Sequence, residues 1–387
     1  MTSESEPSQS WFVGYCYIIN SVIGSGIMAL PAAYYSSGWL SGIVFQMFAF
    51  FISFTGAYQL LSTWSRLEAL VQLTEQGHEI PHVNICDIFK LTQEEKQEPL
   101  LQHTAIPLLA HRKFDIYDMV RILLGPFQGK LIIMMYVISS YPWLAGYLSV
   151  FSSSLASNIP LFGSTCNLYE TTEFLSDCKF IYWAYLSIFC TFIISLSCFH
   201  LHEHRYLQIT MTFFRFIVIV LMLIASLYSI LSDTNLENSL AVEANPPIIN
   251  SNHFGEAFSV ILFASLFQNI IPTSTSFVKD KSRDMKKMII SSVMTFNILY
   301  VLVGIVLCFA IKDPHSMVSL NFRNYSAGEE QVNRAWWTHI VSYSIVVLPA
   351  LDMMSSFPLI ATNFSDNLMG MAYGIEAQKS ASRVIFM

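Results

Sequence analysis

The segment from Asn20 to Pro31 (NSVIGSGIMALP) has residue types suited to binding a small ligand through the backbone. It lies in a long apolar run, where a helix normally satisfies its own N–H and C=O groups because an unpaired group in lipid costs several kcal/mol. Gly24 and Gly26, followed by Pro31, favour an interruption of that helix. Backbone freed at membrane depth is tolerated only where it lines a cavity or is buried in protein. The pattern therefore predicts a binding site for a small substrate or an ion.

A later apolar run carries a second group of polar residues. Phe267 is followed by Gln268 and Asn269, and then by Pro272, which removes a backbone donor and clashes with the preceding turn. One interpretation is a simple proline kink whose amide side chains hold neighbouring helices together. The other is a second interrupted helix, because two interrupted helices in corresponding positions are typical of a transporter site. With the first segment beside it, we favour the second interpretation.

One acidic residue, Asp352, lies inside the last apolar run, with Ser355 one turn further on. A charge at that depth costs about 2.5–3.5 kcal/mol on insertion scales and marks a candidate functional residue. Ionised, Asp352 could coordinate Na⁺; protonated, it could carry H⁺. The alternative is a structural role as the partner of a buried cation. Arg215 is the candidate for that cation, unless its side chain extends to the cytoplasmic surface.

Aromatic residues cluster in another run, where Tyr136, Tyr141, Trp143 and Tyr147 surround Pro142. They could form the wall of a substrate pocket. The alternative is ordinary packing, which is the more frequent role of aromatic side chains in apolar helices.

The composition indicates the class of protein that carries these residues. The chain has 387 residues, is 53% hydrophobic and 12% charged, and has a mean hydropathy of +0.49. This excludes an ordinary soluble enzyme. A membrane-spanning helix needs roughly 20 apolar residues. Eight runs qualify, and we number them spans 1 to 8: residues 11–33, 39–63, 127–157, 179–200, 206–231, 254–278, 288–311 and 336–361. The sequence predicts an all-α polytopic membrane protein.

The sequence contains no Walker loop, catalytic-serine elbow or HExxH pair. We therefore expect no enzymatic activity, no resident cofactor and no nucleic acid partner. Lys and Arg favour the cytoplasmic side, and their distribution predicts a cytoplasmic N-terminal tail (1–10), a cytoplasmic loop (65–113) and a cytoplasmic C-terminal tail (368–387).

Two features of the predicted outer loops agree with this orientation. Cys166 and Cys178 share one outer loop and could form a disulfide, although two free thiols are the alternative. Asn324 begins an acceptor sequence for N-glycosylation in another outer loop. A second acceptor sequence at Asn363 falls on the cytoplasmic side, where it would not be modified.

The pattern Asn20-x-x-x-Gly24-x-Gly26-Ile-x-Ala-Leu-Pro31, followed by Ser37-Gly38-Trp39, resembles the amino acid/auxin permease superfamily. Phe267-Gln268-x-x-x-Pro272 in span 6 adds to the likeness. The resemblance implies a LeuT-type (amino acid–polyamine–cation) helical bundle with broken spans 1 and 6, in which spans 1, 3, 6 and 8 surround a central site. It covers residues 11–367 as one transporter domain.

On that resemblance the expected site has two parts. The substrate-binding residues would be Gly24, Ser25, Gly26, Ile27, Tyr147, Phe267, Gln268 and Asn269. The ion-coupling residues would be Asn20, Asp352 and Ser355. Sodium-coupled relatives use an asparagine in the first span, which matches Asn20. They carry hydroxyl residues where this chain has Asp352, so Asp352 departs from the pattern.

The resemblance implies secondary transport of a small amino acid, coupled to Na⁺ or H⁺ by alternating access, in the plasma membrane or an endolysosomal membrane. The alternatives are a nutrient sensor or scaffold that does not transport, a channel, and a truncated inactive isoform. Relatives have about eleven spans, whereas eight are present here. Of the two explanations for the shorter chain, truncation and loss of transport, we favour truncation.

Overall fold

The computed structural model describes residues 10–75, 116–161, 176–197, 205–231, 245–275, 278, 281–327 and 334–373, and their regular elements are helices. The α-helices are α1 (Trp11–Val22), α2 (Ser25–Ser37), α3 (Trp39–Glu75), α4 (Ile116–Leu124), α5 (Pro126–Asn158), α6 (Ser176–Ser197), α7 (Arg205–Leu231), α8 (Phe254–Ala264), α9 (Ile271–Thr275), α10 (Lys281–Ala310) and α11 (Trp336–Tyr373). Short 3₁₀ helices lie at Ser251–His253, Gln268–Ile270 and Val318–Phe322.

The helices correspond to the predicted spans. Span 1 consists of α1 and α2, span 6 covers Ser251–Thr275, and spans 2, 3, 4, 5, 7 and 8 are α3, α5, α6, α7, α10 and α11. Seven segments of the described chain are long and apolar enough to cross a membrane, or eight when α1 and α2 are taken together. The prediction of an all-α polytopic membrane protein is confirmed.

Span 1 is bent by 50° where α1 ends and α2 begins. The last bond of α1 runs from the Ile23 N–H to the Ile19 carbonyl at 2.9 Å, and α2 begins with the Ile27 N–H bonded to the Gly24 carbonyl at 3.3 Å. Gly26 allows the close approach of span 6, because a Cβ there would lie 3.0 Å from the Cβ of Ala264. The start of α2 therefore lies in close contact with Ala264 of span 6.

Span 6 also changes geometry near its middle. Helix α8 ends at Ala264, and Phe267 has φ −140° and ψ 1°, outside the helical region. A 3₁₀ turn over Gln268–Ile270 then leads into α9, whose second residue is Pro272. Because a proline lacks an N–H group, it is best tolerated in the first turn of a helix. Its position agrees with a new helix beginning at Ile271.

Helix α1 lies at the centre of the bundle. Tyr17, Ile18 and Ile19 are fully buried, and α1 contacts α7, α9, α10 and α11. On the outside, large apolar side chains are exposed, for example Phe51 of α3 and Ile138 of α5, which are 65% and 66% exposed. A surface of this kind suits contact with lipid.

Helix α2 is held by the ring of Tyr34, which lies between two glycines. A Cβ on Gly42 would lie 2.6 Å from that ring, and a Cβ on Gly304 would lie 2.9 Å from it. Spans 2 and 7 therefore approach α2 as closely as they do because neither carries a side chain at these positions.

Span 8 extends beyond its predicted end at residue 361, because α11 continues to Tyr373. The apolar run stops at Asn363, Asp366 and Asn367, yet these side chains are buried. Asn367 Oδ1 accepts a hydrogen bond of 3.1 Å from the N–H of Tyr117 in α4. The polar residues therefore pack against another helix, and the first residues of the predicted tail 368–387 are helical. The rest of that tail and loop residues 76–113 lie outside the described residues.

Candidate functional site

A small cavity of about 40 Å³ lies where spans 1, 3, 6 and 8 meet. It is lined by Ser21, Val22, Gly24, Ser25, Gly26, Trp143, Tyr147, Phe263, Ala264, Leu266, Asn269 and Ile360. None of these described lining residues carries a charged side chain. The volume is large enough for about three water molecules, since one needs roughly 10–15 Å³. The cavity therefore adjoins the interruptions of both span 1 and span 6.

The helix ends at the two interruptions share one hydrogen-bond donor. The hydroxyl of Tyr300, in span 7, lies 2.7 Å from the carbonyl oxygen of Val22 and 3.0 Å from that of Ala264. These are the last residues of α1 and α8. A tyrosine hydroxyl has one proton, so the two carbonyl oxygens share it. Tyr300 thereby joins the interruption of span 1 to that of span 6.

Three further backbone groups near the interruption of span 6 are bound by side chains. Ser53 Oγ donates to the Ser265 carbonyl at 2.7 Å, and the Phe267 N–H donates to Gln268 Oε1 at 3.1 Å. Asn363 Nδ2 donates to the Asn269 carbonyl at 2.7 Å. These bonds matter because buried backbone groups without partners are costly. Asn363 begins the second acceptor sequence for N-glycosylation, which we expected not to be modified. Its side chain is buried beside the candidate site.

The three predicted ion-coupling residues meet around the guanidinium group of Arg215. Its Nη1 donates to Asn20 Oδ1 at 2.7 Å, and its Nε donates to Asp352 Oδ1 at 2.7 Å. Its Nη2 lies 2.5 Å from the same Asp352 oxygen and 3.4 Å from Ser355 Oγ. Nη1 also donates to the Ile19 carbonyl at 3.3 Å. Span 5 thus supplies a cation between spans 1 and 8.

The side chain of Asn20 is fully engaged by span 5. Its Nδ2 donates to the carbonyl and Oε1 of Gln208 at 2.7 and 2.6 Å, and its Oδ1 accepts from Thr212 Oγ1 at 3.0 Å as well as from Arg215. Its carbonyl accepts a 2.6 Å bond from Ser356 Oγ. Asn20 therefore acts in this structure as the link between spans 1, 5 and 8.

The ion pair lies deep in the protein. Arg215 is 1% exposed and Asp352 is 3% exposed. Asp352 Oδ2 is buried and has no hydrogen-bond partner within the described part of the chain. A buried pair costs much desolvation, so its presence is weak evidence for stability, whereas losing one partner leaves a buried charge alone. The sequence left two roles open for Asp352, ion coupling and contact with a buried cation. In the structure Asp352 contacts a buried cation, Arg215.

The structure brings together part of the predicted substrate site. Gly24, Ser25, Gly26, Tyr147 and Asn269 line the cavity.

The other three predicted residues, Ile27, Phe267 and Gln268, are not part of the cavity wall. Ile27 is fully buried in the apolar core, and Phe267 packs edge-on against Phe296 with ring centres 5.5 Å apart. Gln268 is turned towards span 2, where its Nε2 would lie 2.9 Å from a Cβ on Gly56. The physical reason is that α8 ends at Ala264 and Phe267 has a non-helical backbone, so the residues beyond it do not continue the helical spacing of α8, and Asn269 rather than Phe267 or Gln268 lines the cavity.

Several residues of the site escape sequence analysis. Phe263, Leu266 and Ile360 form apolar wall, beside Trp143, for which a place in a pocket wall was one of the two roles that the sequence left open. The Trp143 and Phe263 rings meet edge to face with centres 5.0 Å apart. No pattern distinguishes Phe263, Leu266, Ile360 or Tyr300 from other apolar residues in helices.

The sequence did contain a signal for the polar residues of span 5 that contact Asn20. Gln208, Thr212 and Arg215 are spaced by four and three residues, which places them on one face of a helix. Such a polar face within an apolar run points to a buried partner.

The features of the outer loops are only partly described. Cys178 is disulfide-bonded, while Cys166 lies outside the described residues, so their pairing stays a prediction. Asn324 is exposed on the segment that follows the 3₁₀ helix Val318–Phe322.

The apolar helical segments and the cavity between them define an integral multi-pass membrane protein. The sequence profile described as "Amino acid permease" matches residues 116–368, and a second one, "Transmembrane amino acid transporter protein", matches residues 7–82. The chain therefore belongs to the amino acid permease family. The resemblance inferred from the span 1 and span 6 motifs is confirmed.

Curated relatives share one name. Transmembrane protein 104 of Gallus gallus is 22% identical over 386 residues, covering 92% of this chain and 74% of the relative. The Mus musculus protein of that name is 22% identical, covering 94% and 75%. The Drosophila melanogaster homolog of transmembrane protein 104 is 20% identical, covering 99% and 80%. The similarity thus extends over nearly the whole chain.

Proposed function

We propose that this protein is a secondary active transporter of small amino acids that works by alternating access in a LeuT-type bundle. The observation that carries the proposal is the position of the cavity, which adjoins the interruptions of both span 1 and span 6 in a chain of the amino acid permease family. Substrate sites of secondary transporters are typically formed by discontinuous helices near the membrane midplane.

The chemistry of the cavity suits a zwitterion with a small side chain. The first N–H groups of a helix have no partner within it and carry partial positive charge. Ser25 and Gly26 begin α2 at the cavity, so their N–H groups suit a carboxylate. The side-chain amide of Asn269 offers an oxygen to an ammonium group. Trp143 and Phe263 supply the apolar wall for the substrate's side chain.

The size of the cavity supports a small substrate. About 40 Å³ lies between the walls, and Gly26 and Ala264 are in close approach beside it. A bulky side chain would require the wall formed by Trp143 and Tyr147 to move. Such movement of one helix group against another is the physical basis of alternating access.

The test is uptake of radiolabelled amino acids by proteoliposomes that contain the purified full chain. A panel from glycine to tryptophan would be offered under imposed gradients, with protein-free liposomes as the control. We expect saturable uptake of the small neutral members. The matched variant is Gly26→Val, which fills the interruption, and its control is Gly255→Val, because a Cβ at Gly255 meets nothing within 4 Å.

Other outcomes would assign other functions. Saturable binding without uptake would identify a sensor, and non-saturating electrical conductance would identify a channel. The absence of both binding and uptake in folded protein would contradict the proposal and favour a scaffold or an inactive product.

We extend the proposal to the location and modification of the chain. The protein would reside in the plasma membrane or an endolysosomal membrane, with an N-linked glycan at Asn324 and a disulfide between Cys166 and Cys178. Fluorescence microscopy beside markers of the two membranes tests the location. A gel shift on endoglycosidase treatment that is absent in Asn324→Gln tests the glycan.

A further inference from the structure

We propose that the cytoplasmic ends of spans 1, 5 and 7 form a binding site for a phospholipid whose headgroup carries several phosphate groups, as phosphorylated phosphatidylinositol does. The cytoplasmic side is here the one that the distribution of Lys and Arg predicts. The lipid site shares no residue with the cavity. The proposal therefore does not depend on the transport function.

The first observation is that three helices meet at this end of the bundle. Spans 1, 5 and 7 cross in the same direction, and α1, α7 and α10 contact one another. The rings of Phe12 and Phe213 lie 6.3 Å apart and join α1 to α7. The hydroxyl of Tyr15 donates to Thr295 Oγ1 at 3.2 Å and joins α1 to α10. The first turns of the three helices therefore form one continuous surface.

The second observation is the positive charge of this surface. Arg283, Lys286 and Lys287 stand at positions i, i+3 and i+4 of α10, which places them on one face, and all three are exposed. Arg205 begins the neighbouring helix α7. Within the described residues, none of these four is ion-paired with a carboxylate, and the acidic residue in the first turn of α10 is Asp284. The surface therefore has a net positive charge and suits an anion.

The third observation concerns the depth at which two of these charges are held. Lys287 Nζ lies 4.3 Å from the centre of the Trp11 ring, and the guanidinium carbon of Arg205 lies 4.6 Å from the centre of the Tyr206 ring. Both are cation–π contacts. Tryptophan and tyrosine side chains favour the level of the lipid headgroups. The contacts therefore keep the charges at the depth of lipid phosphates instead of letting them extend into the cytoplasm.

The fourth observation is that apolar side chains continue from the basic surface into the membrane. Ile290 and Met294 follow the lysines along α10, and Phe213 and Ile217 follow along α7, and all four are exposed. Their spacing places each pair on one face of its helix. The two neighbouring helices thus present basic groups to a headgroup and apolar stripes to acyl chains. This combination fits a whole phospholipid better than a free phosphate.

The number of basic residues favours a headgroup with several phosphates. Clusters of at least four Lys or Arg residues at the cytoplasmic end of membrane helices are typical of binding to phosphoinositides and phosphatidylserine. Phosphatidylserine carries a single net negative charge, whereas the surface offers four basic side chains beside one acidic residue. A headgroup with several phosphates can contact more of these side chains at once.

The direct test is lipid binding to the purified full chain in detergent, measured by native mass spectrometry as lipid molecules bound per chain. The probes are phosphatidylcholine, phosphatidylserine and phosphatidylinositol bisphosphate with identical acyl chains. We expect the bisphosphate lipid to bind at least about ten-fold more tightly than the other two, because each basic residue adds to the attraction. Equal affinities for the bisphosphate lipid and phosphatidylcholine would overturn the proposal. Equal affinities for the bisphosphate lipid and phosphatidylserine would overturn the preference for several phosphates.

A soluble headgroup separates the lipid from a free phosphate compound. Inositol trisphosphate carries the phosphates of the bisphosphate lipid without its acyl chains. We expect it to displace the bound lipid only in large excess, because it cannot contact the apolar stripes. Displacement at equal concentrations would show that the acyl chains contribute nothing and would overturn the assignment to a lipid.

Replacement of the lysines tests the position of the site. The double variant Lys286→Gln, Lys287→Gln should bind the bisphosphate lipid about 25-fold more weakly, roughly five-fold for each charge removed. The matched control is Arg66→Gln, Lys130→Gln, which removes two exposed charges from the predicted cytoplasmic ends of spans 2 and 3. Exposed substitutions of this kind usually affect stability little. Equal losses in the two double variants would indicate general attraction to the membrane and contradict the proposed site.

Discussion

The guanidinium group of Arg215 directs two of its donors at a single oxygen of Asp352. Nε and Nη2 lie 2.7 and 2.5 Å from Oδ1, while Oδ2 is buried without a hydrogen-bond partner in the described structure. The contact is therefore not the two-pronged pairing in which each carboxylate oxygen accepts one bond. The other nitrogen, Nη1, is thereby free to hold span 1 through Asn20. One arginine of span 5 thus fixes span 8 and span 1 together.

The first prediction concerns the stability of this pair. We expect Arg215→Met and Asp352→Leu each to lower the free energy of unfolding by about 3–5 kcal/mol, because each leaves a buried charge without its partner. The double variant should lose much less than the sum of the two, since it leaves no charge. Unfolding by denaturant measures all three. Additive losses would show that the two residues act independently.

The second prediction concerns the interruption of span 1. Gly26→Val should abolish uptake, because even its Cβ would lie 3.0 Å from the Cβ of Ala264 and the branched side chain would fill the cavity. Gly255→Val should transport normally. Uptake and size-exclusion profiles of the two variants separate a loss of transport from a loss of folding. Unchanged transport by Gly26→Val would remove the interruption from the mechanism.

The third prediction concerns Tyr300. Tyr300→Phe removes the proton shared by the carbonyls of Val22 and Ala264 and should destabilise the protein by about 1–3 kcal/mol, the cost of leaving buried acceptors unpaired. Tyr343→Phe is the matched control, because Tyr343 is 59% exposed. Equal unfolding temperatures for the two variants would contradict a role for Tyr300 in joining the interruptions.

The fourth prediction concerns substrate size. Trp143→Ala removes a large side chain from the cavity wall and should shift selectivity from small towards larger apolar amino acids. A pocket that gains space typically changes discrimination by about 10–200-fold per methylene-sized difference. Competition assays with alanine and leucine measure the shift. Trp183→Ala, at an exposed position of span 4, should leave the ratio unchanged.

The fifth prediction concerns packing around α2. Gly42→Val should destabilise the fold by at least about 1–3 kcal/mol, the usual cost of overpacking, because its Cβ would lie 2.6 Å from the ring of Tyr34. A Cβ at Gly146 meets nothing within 4 Å, so Gly146→Val serves as the control. Thermal unfolding in detergent compares the two, and equal values would contradict the close contact with Tyr34.

Much of the architecture was predictable from local pattern. Long apolar runs in lipid form helices because only a helix satisfies its own backbone within one segment, and the eight runs correspond to the spans of the structure. The end of span 8 was not predictable in this way. Asn363 and Asn367 are polar and end the apolar run, but both are buried against other helices. A polar residue inside a bundle looks in sequence like one in water.

The candidate site was predictable only in part. Gly24, Ser25, Gly26 and Asn269 could be inferred because glycine spacing and mid-helix polar residues mark backbone that does not satisfy itself. The direction of a side chain after an interruption depends on how the chain rotates there, so sequence analysis placed Gln268 at the substrate when it instead binds the Phe267 N–H. Tyr300 left no signal at all.

The sequence by itself determined that this chain crosses a membrane, belongs with the permeases and carries two segments whose backbone is open to partners. Those properties follow from composition and from residues close together in the chain. Only the tertiary structure decided which partners those segments have. Arg215 and Asp352 are separated by 137 residues, and Tyr300 and Val22 by 278. Contacts over such distances depend on how helices pack, and that packing placed Asn20, Asp352 and Ser355 around the guanidinium group of Arg215.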